Sequence, residues 1–136
     1  MGIKAVNHVA IVVEDIASAL AFWRDALGLP LARTERVDAE AVEVAFLPVG
    51  ESEIELLEPT QPDSGVARFL EKRGPGIHHI CIEVDDIAAT MARLRAHGVT
   101  LINETPREGP DGRQYAFIHP RSAGGVLVEL YQLPAE

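Results

Sequence analysis

The sequence predicts an α+β protein made of two tandem βαβββ modules whose sheets form a curved, cleft-lining surface. Three observations predict it: an internal repeat, an alternating apolar segment opening each copy, and a capped, glycine-stopped helix after each segment. Residues 8–24 (HVAIVVEDIASALAFWR) align with residues 79–95 (HICIEVDDIAATMARLR) at an offset of 71. The pairs His8/His79, Ile11/Ile82, Val13/Val84, Asp15/Asp86, Ile16/Ile87, Ala17/Ala88, Ala21/Ala92 and Arg24/Arg95 are identical, 8 of 17 positions. Unrelated segments of average composition would share roughly one.

Each element follows from local chemistry. Residues 5–13 alternate as a strand does, Asp15 is an N-cap residue and Gly28 a helix stop. Strands are expected over 31–37, 41–48 and 53–58, where β-branched and aromatic residues recur between turn formers. Residues 59–63 read as a turn, 64–72 as a short helix, and Gly74-Pro75-Gly76 as a breaker. The second copy repeats the order: a strand over 77–84, a helix from Asp86 to Gly98, and strands over 100–104, 113–119 and 125–132. The expected organisation is a single domain, 1–136, of two modules (about 1–59 and 76–136) joined by a helical connection, 60–75.

Composition narrows the function. The chain has 136 residues with 12 Lys+Arg against 21 Asp+Glu, a formal charge of −9 and a pI near 5.0. Nucleic acid, which needs a basic surface, is excluded as a partner. The longest apolar runs are about five residues, as at 9–13, against the roughly 20 that span a bilayer. No membrane segment or cleavable leader is read, so the expected location is cytoplasmic. Cys81 is alone and has no intrachain disulfide partner. Open sheet edges lead us to expect a homodimer.

Strand alternation assigns faces. Val9, Ile11 and Val13, and their counterparts Ile80, Ile82 and Val84, form the face under each helix; His8 and His79 take the other face, as do Glu55 and Glu129 on the last strands. By the same reasoning Val42, Val44 and Phe46 lie under the helix with Glu43 opposite, on the histidine side. Two imidazoles and two carboxylates suit one divalent ion such as Co, Ni, Mn, Zn or Fe, with positions left for water or substrate. A strand histidine or glutamate taken singly is more often structural or solvated, and spacing alone leaves a metal site and a solvated surface as alternatives. His78 must face away from the site, His97 ends a helix, His119 ends a strand, and Cys81 reads as a small cleft-lining residue.

The ordered motifs Asn7-His8-Val9-Ala10, Ala41-Val42-Glu43-Val44, Ile54-Glu55-Leu56-Leu57-Glu58-Pro59, Gly76-Ile77-His78-His79, Ala116-Phe117-Ile118-His119-Pro120 and Gly125-Val126-Leu127-Val128-Glu129-Leu130 resemble the methylmalonyl-CoA epimerase family. That family belongs to the vicinal oxygen chelate, or glyoxalase-like, superfamily. The resemblance covers essentially the whole chain. It implies metal ligation by His8, Glu55, His79 and Glu129, and catalytic roles for Glu43 and Glu129 on opposite faces of a planar enolate. The implied substrate is an acyl-CoA thioester, (S)- or (R)-methylmalonyl-CoA. Lactoylglutathione lyase or another metalloenzyme of the same fold, and a metal-free binding or resistance protein, stand as alternatives. Two departures bear on the substrate: the loop Glu108-Gly109-Pro110-Asp111-Gly112-Arg113-Gln114, and Arg121 where the family usually has Lys. Lys72, Arg73, Arg107, Arg113 and Arg121 are candidate contacts for the anionic coenzyme, with solvated surface charge as the competing reading.

Overall fold

The computed structural model describes residues 2–135. They form eight strands and three α-helices, an α+β fold as expected: β1 (Ile3–Val12), α1 (Ile16–Leu20), β2 (Arg33–Val37), β3 (Val42–Val49), β4 (Ser52–Pro59), α2 (Gly65–Arg73), β5 (Gly76–Val84), α3 (Ile87–Ala96), β6 (Arg107–Glu108), β7 (Gln114–Ile118) and β8 (Leu127–Gln132). No helix among the described residues is long and apolar enough to cross a membrane.

The chain divides into two compact units, His8–His78 and the remainder. The boundaries fall inside β1 and inside β5. Within His8–His78 the hydrogen-bonded strand order is β2-β3-β4-β1; within the other unit, which takes in the start of β1, it is β1-β5-β8-β7-β6.

The repeat governs how each helix is started. Asp15 accepts from the Ser18 N–H at 2.7 Å and Asp86 from the Ala89 N–H at 3.0 Å, supplying the N-caps read from the sequence. The last strand of each unit supplies a second acceptor that the sequence did not reveal. Glu58 Oε1 takes the Ile16 N–H at 2.7 Å, and Gln132 Oε1 takes the Ile87 N–H, also at 2.7 Å. Each helix N-terminus is thus tied to the strand beneath it, which offsets the exposed amide dipoles of its first turn. Beyond α1 the chain widens into π-helical turns over Ala21–Ala26, where the Leu27 N–H reaches the Phe22 carbonyl at 2.8 Å. Gly28 and Gly98 then reverse the chain at φ +94° and +79°, a region a side chain disfavours.

The hydrogen bonds from Ser18 hold the Asp15 carboxyl below the usual carboxylate range. Its contribution is present above the unfolded carboxylate's pKa and is lost as pH falls through the lower folded value. At the equivalent cap in the second unit, Asp86→Ala is expected to cost about 1 kcal/mol of stability, read by urea denaturation.

Two apolar clusters build the His8–His78 unit, one on each face of its sheet. Val13, Ile16, Leu20, Ala45, Leu47 and Leu56 pack beneath α1. Ala10, Val12, Val42, Val44, Phe46 and Leu57 form the other cluster, covered by Val66, Phe69 and Leu70 of α2. This corrects the expected face of β3: Val42, Val44 and Phe46 lie under α2, on the His8 side, and Glu43 falls by alternation on the α1 side. The cause is that β3 is buried on both faces from Val42 through Leu47 except at Glu43, so its hydrophobic pattern does not mark an inner face. The other unit has one cluster under α3, formed by Val84, Ile87, Met91, Ala116, Ile118 and Leu130.

The strand expected over 100–104 is also corrected. That stretch keeps two backbone bonds to β7 and the residue that follows it, Ile102 N–H to the Phe117 carbonyl and His119 N–H to the Thr100 carbonyl. There the Asn103 side chain takes the Phe117 N–H at 2.8 Å, and Pro106 has no N–H to donate. Regular pairing resumes only in β6, where Arg107 faces Tyr115 and Glu108 faces Gln114.

Candidate metal centre

In the His8–His78 unit, β1 and β4 run parallel with Ala10 opposite Glu55 and Val12 opposite Leu57. That register puts residues 8, 10 and 12 on one face with residues 53, 55 and 57. His8 is 4% exposed, and its Nδ1 lies 3.2 Å from Glu55 Oε2. In the other unit β5 and β8 repeat the arrangement, with Cys81 opposite Glu129. His79 Nε2 lies 3.3 Å from Glu129 Oε1, and Glu129 is 8% exposed. Each repeat therefore presents one imidazole–carboxylate pair, with one member buried and the other partly exposed, on the sheet face away from its capped helix. Water does little to solvate such groups, so these carboxylates favour a cationic partner. Each unit's imidazole nitrogens and carboxylate oxygens are donors of the kind that divalent first-row ions take. The residues present fit a metal.

Glu43 is not brought to this face. It faces Glu58 across β3 and β4, while Phe46 is the β3 residue that faces Glu55. Its repeat equivalent, Gln114, faces Gln132, the residue that caps α3. Glu43 thus belongs with the helix-capping end of the α1 face.

Of the remaining histidines, His97 and His119 follow their expected structural roles, while His78 packs against α2, the helix over the His8 face. His78 packs edge-on to Phe69 with ring centres 5.1 Å apart. His97 is the C-cap residue of α3, and His119 Nδ1 accepts the Arg121 N–H at 3.1 Å. Cys81 is fully buried on the His79 face.

The glyoxalase/bleomycin resistance protein/dioxygenase superfamily model matches residues 7–117. The mitochondrial methylmalonyl-CoA epimerase of Homo sapiens is 41% identical over 127 residues, which are 93% of this chain and 72% of that one. The chain belongs to the methylmalonyl-CoA epimerase family. The ethylmalonyl-CoA/methylmalonyl-CoA epimerase of Cereibacter sphaeroides is 40% identical over 96% of this chain and 99% of its own. A solved methylmalonyl-CoA epimerase in complex with methylmalonyl-CoA and NH4+ superimposes with a TM-score of 0.86 at 34% identity, covering 98% of this chain and 97% of that one. These family members are epimerases and therefore isomerases, which agrees with the reaction class that the sequence implies.

Proposed function

We propose that this protein is an epimerase that interconverts (S)- and (R)-methylmalonyl-CoA, with one divalent ion held by His8, His79 and Glu129 and by Glu55 as a fourth ligand. The observation that carries this reading is the pair of histidine–glutamate contacts at equivalent positions of the repeat, with His8 and Glu129 buried, in a chain of the epimerase family. The carbon to be inverted lies between a carboxylate and a thioester, so its proton is already weakened. The ion, when bound, would stabilise the negative charge that develops on the thioester oxygen as that proton leaves.

The side chains supply the proton traffic. Inversion needs one group to remove the proton from one face of the α-carbon and another to deliver a proton to the opposite face. Glu129 takes one of these roles, through the carboxylate oxygen that its other contacts leave available. We give the second role to Glu55, the carboxylate that the repeat makes equivalent to Glu129, and keep Glu43, which faces Glu58 on the α1 side, as the other candidate. Either carboxylate starts as the base in one direction and ends as the acid in the other, as reversibility requires.

The test is proton NMR of methylmalonyl-CoA in D₂O. With Co²⁺ added, the α-proton signal is expected to vanish and the epimers to equilibrate; a protein stripped by chelator is expected to do neither. Failure of the metal-loaded protein to exchange the α-proton would refute the reading. We also propose a homodimer, favoured by strongly exposed apolar side chains such as Ile3 and Ile77, at 68% and 58%, and read by sedimentation equilibrium.

A further inference from the structure

The chain passes between its two compact units at the same place in each repeat. One passage lies between Asn7 and His8, the other between His78 and His79. Each is the peptide bond that precedes a histidine proposed above as a metal ligand. Asn7 and His78 are themselves equivalents at the repeat offset of 71.

Each of these preceding residues is gripped by a side chain from elsewhere in its unit. The Asn7 amide donates to Glu83 Oε1 of β5 at 3.3 Å, and Glu83 Oε2 lies 3.7 Å from the Lys4 ammonium. The same segment is tied again at its start, where Asp85 Oδ1 accepts the Gly2 N–H at 2.7 Å and the Asp85 N–H reaches the Gly2 carbonyl at 3.1 Å. His78 packs edge-on to Phe69 of α2, and the Arg73 guanidinium stands 5.5 Å from the centre of that Phe69 ring. Phe69 is seated in turn on the cluster that contains Val42, Val44 and Phe46. Glu83 is the informative member. Its equivalent in the first repeat is Val12, fully buried, whereas the Glu83 side chain is charged and only 15% exposed. A carboxylate so placed costs stability unless its oxygens are engaged, and Asn7 and Lys4, which engage them, both lie on the β1 segment that leads into His8.

We propose that Asn7 with Glu83, and His78 with Phe69, are positioning pairs that hold the two crossing points of the chain and thereby fix where the His8 and His79 imidazoles stand for one ion. This rests on the metal-binding reading and adds what keeps those two ligands in place. An ion ligated by both histidines would draw one imidazole from each unit. Ligand distances at such an ion hold to within about 0.2 Å, so a small rotation of the backbone at either crossing would spoil the set. A ligand keeps its geometry when the groups behind it are locked by packing and hydrogen bonds. None of the four side chains needs to touch the ion, because the backbone direction at residue 7 or 78 decides where the next side chain goes. One grip is a hydrogen bond and the other a ring contact, so each can be broken separately.

The test is calorimetric titration of the chelator-stripped protein with Co²⁺, with the visible spectrum of the bound ion recorded alongside. Asn7→Ala and Glu83→Val break the first pair from either side. Glu83→Val installs the residue that the first repeat uses there and keeps the pair testable if Asn7→Ala does not fold. Each is expected to weaken Co²⁺ binding by on the order of tenfold and to shift the spectrum, as loss of a group that orients a ligand does. Glu83→Gln keeps an acceptor for the Asn7 amide and is expected to bind Co²⁺ as the wild type does. Phe69→Leu is expected to weaken binding, and His78→Phe, which keeps a ring against Phe69, to retain it. Wild-type affinity and spectrum in folded Asn7→Ala, Glu83→Val and Phe69→Leu proteins, with only their stability to urea lowered, would overturn the proposal and leave the metal reading intact. Loss of binding in His78→Phe would overturn it as well, by making His78 a ligand. If the wild-type protein takes up no Co²⁺, the metal reading fails, and this one with it.

Discussion

Glu129→Gln is expected to lower methylmalonyl-CoA epimerisation by about 10²- to 10⁴-fold, the range that loss of a positioned acid or base commonly costs. The substitution is chosen to separate two duties of one side chain. The Gln carbonyl oxygen still accepts a hydrogen bond and still offers a neutral ligand atom to an ion, and the side chain keeps its volume in a site where Glu129 is 8% exposed. What is lost is the ability to take up and return a proton. A positioning role alone would leave most of the rate, whereas a proton-transfer role removes it. Metal content measured by plasma mass spectrometry is expected to fall less than the rate does, because His8, Glu55 and His79 remain. Loss of the metal in parallel with the activity would assign Glu129 to ligation only, and a near-normal rate would remove it from the mechanism.

The parts of the candidate site that could be read from sequence are those that the repeat encodes twice. His8 with His79, and Glu55 with Glu129, were legible because two copies put the same donors at the same strand positions. Solvated decoration does not do this. The helix caps Asp15 and Asp86 were legible for the same reason. Glu43 was misplaced because its strand is buried on both faces, and alternation then says which residues share a side without saying which side it is. The strand expected over 100–104 was lost to a single side chain, Asn103, which takes the Phe117 N–H that regular pairing would give to backbone. The second acceptors at the helix starts, Glu58 and Gln132, left no periodic signal, since a hydrogen bond across 42 or 45 residues comes from tertiary packing. Glu83 did leave a signal: a position that is buried valine in the first copy is charged in the second. Comparing the copies for differences as well as identities would have found it.

Glu55→Gln and Glu43→Gln form a pair whose outcomes are expected to diverge. If Glu55 and Glu129 serve opposite faces of the α-carbon, removing one leaves the other able to withdraw and restore the proton on its own face. In D₂O the Glu55→Gln protein is therefore expected to wash deuterium into one epimer with its configuration retained, while interconversion falls by about 10²-fold or more. Glu129→Gln is expected to retain exchange only in the opposite epimer. A merely structural role for Glu55 would slow exchange of both epimers together, so the stereochemistry of the label reads its role directly. Glu43→Gln is expected to stay near the wild-type rate for both epimers, because Glu43 shares its face with Ala45, Leu47 and α1 and not with the His8–Glu55 contact. Should Glu43→Gln show the one-sided exchange and Glu55→Gln slow both epimers equally, the second proton carrier would be Glu43, and the β3 segment that bears it would have to present its other face to the substrate during turnover.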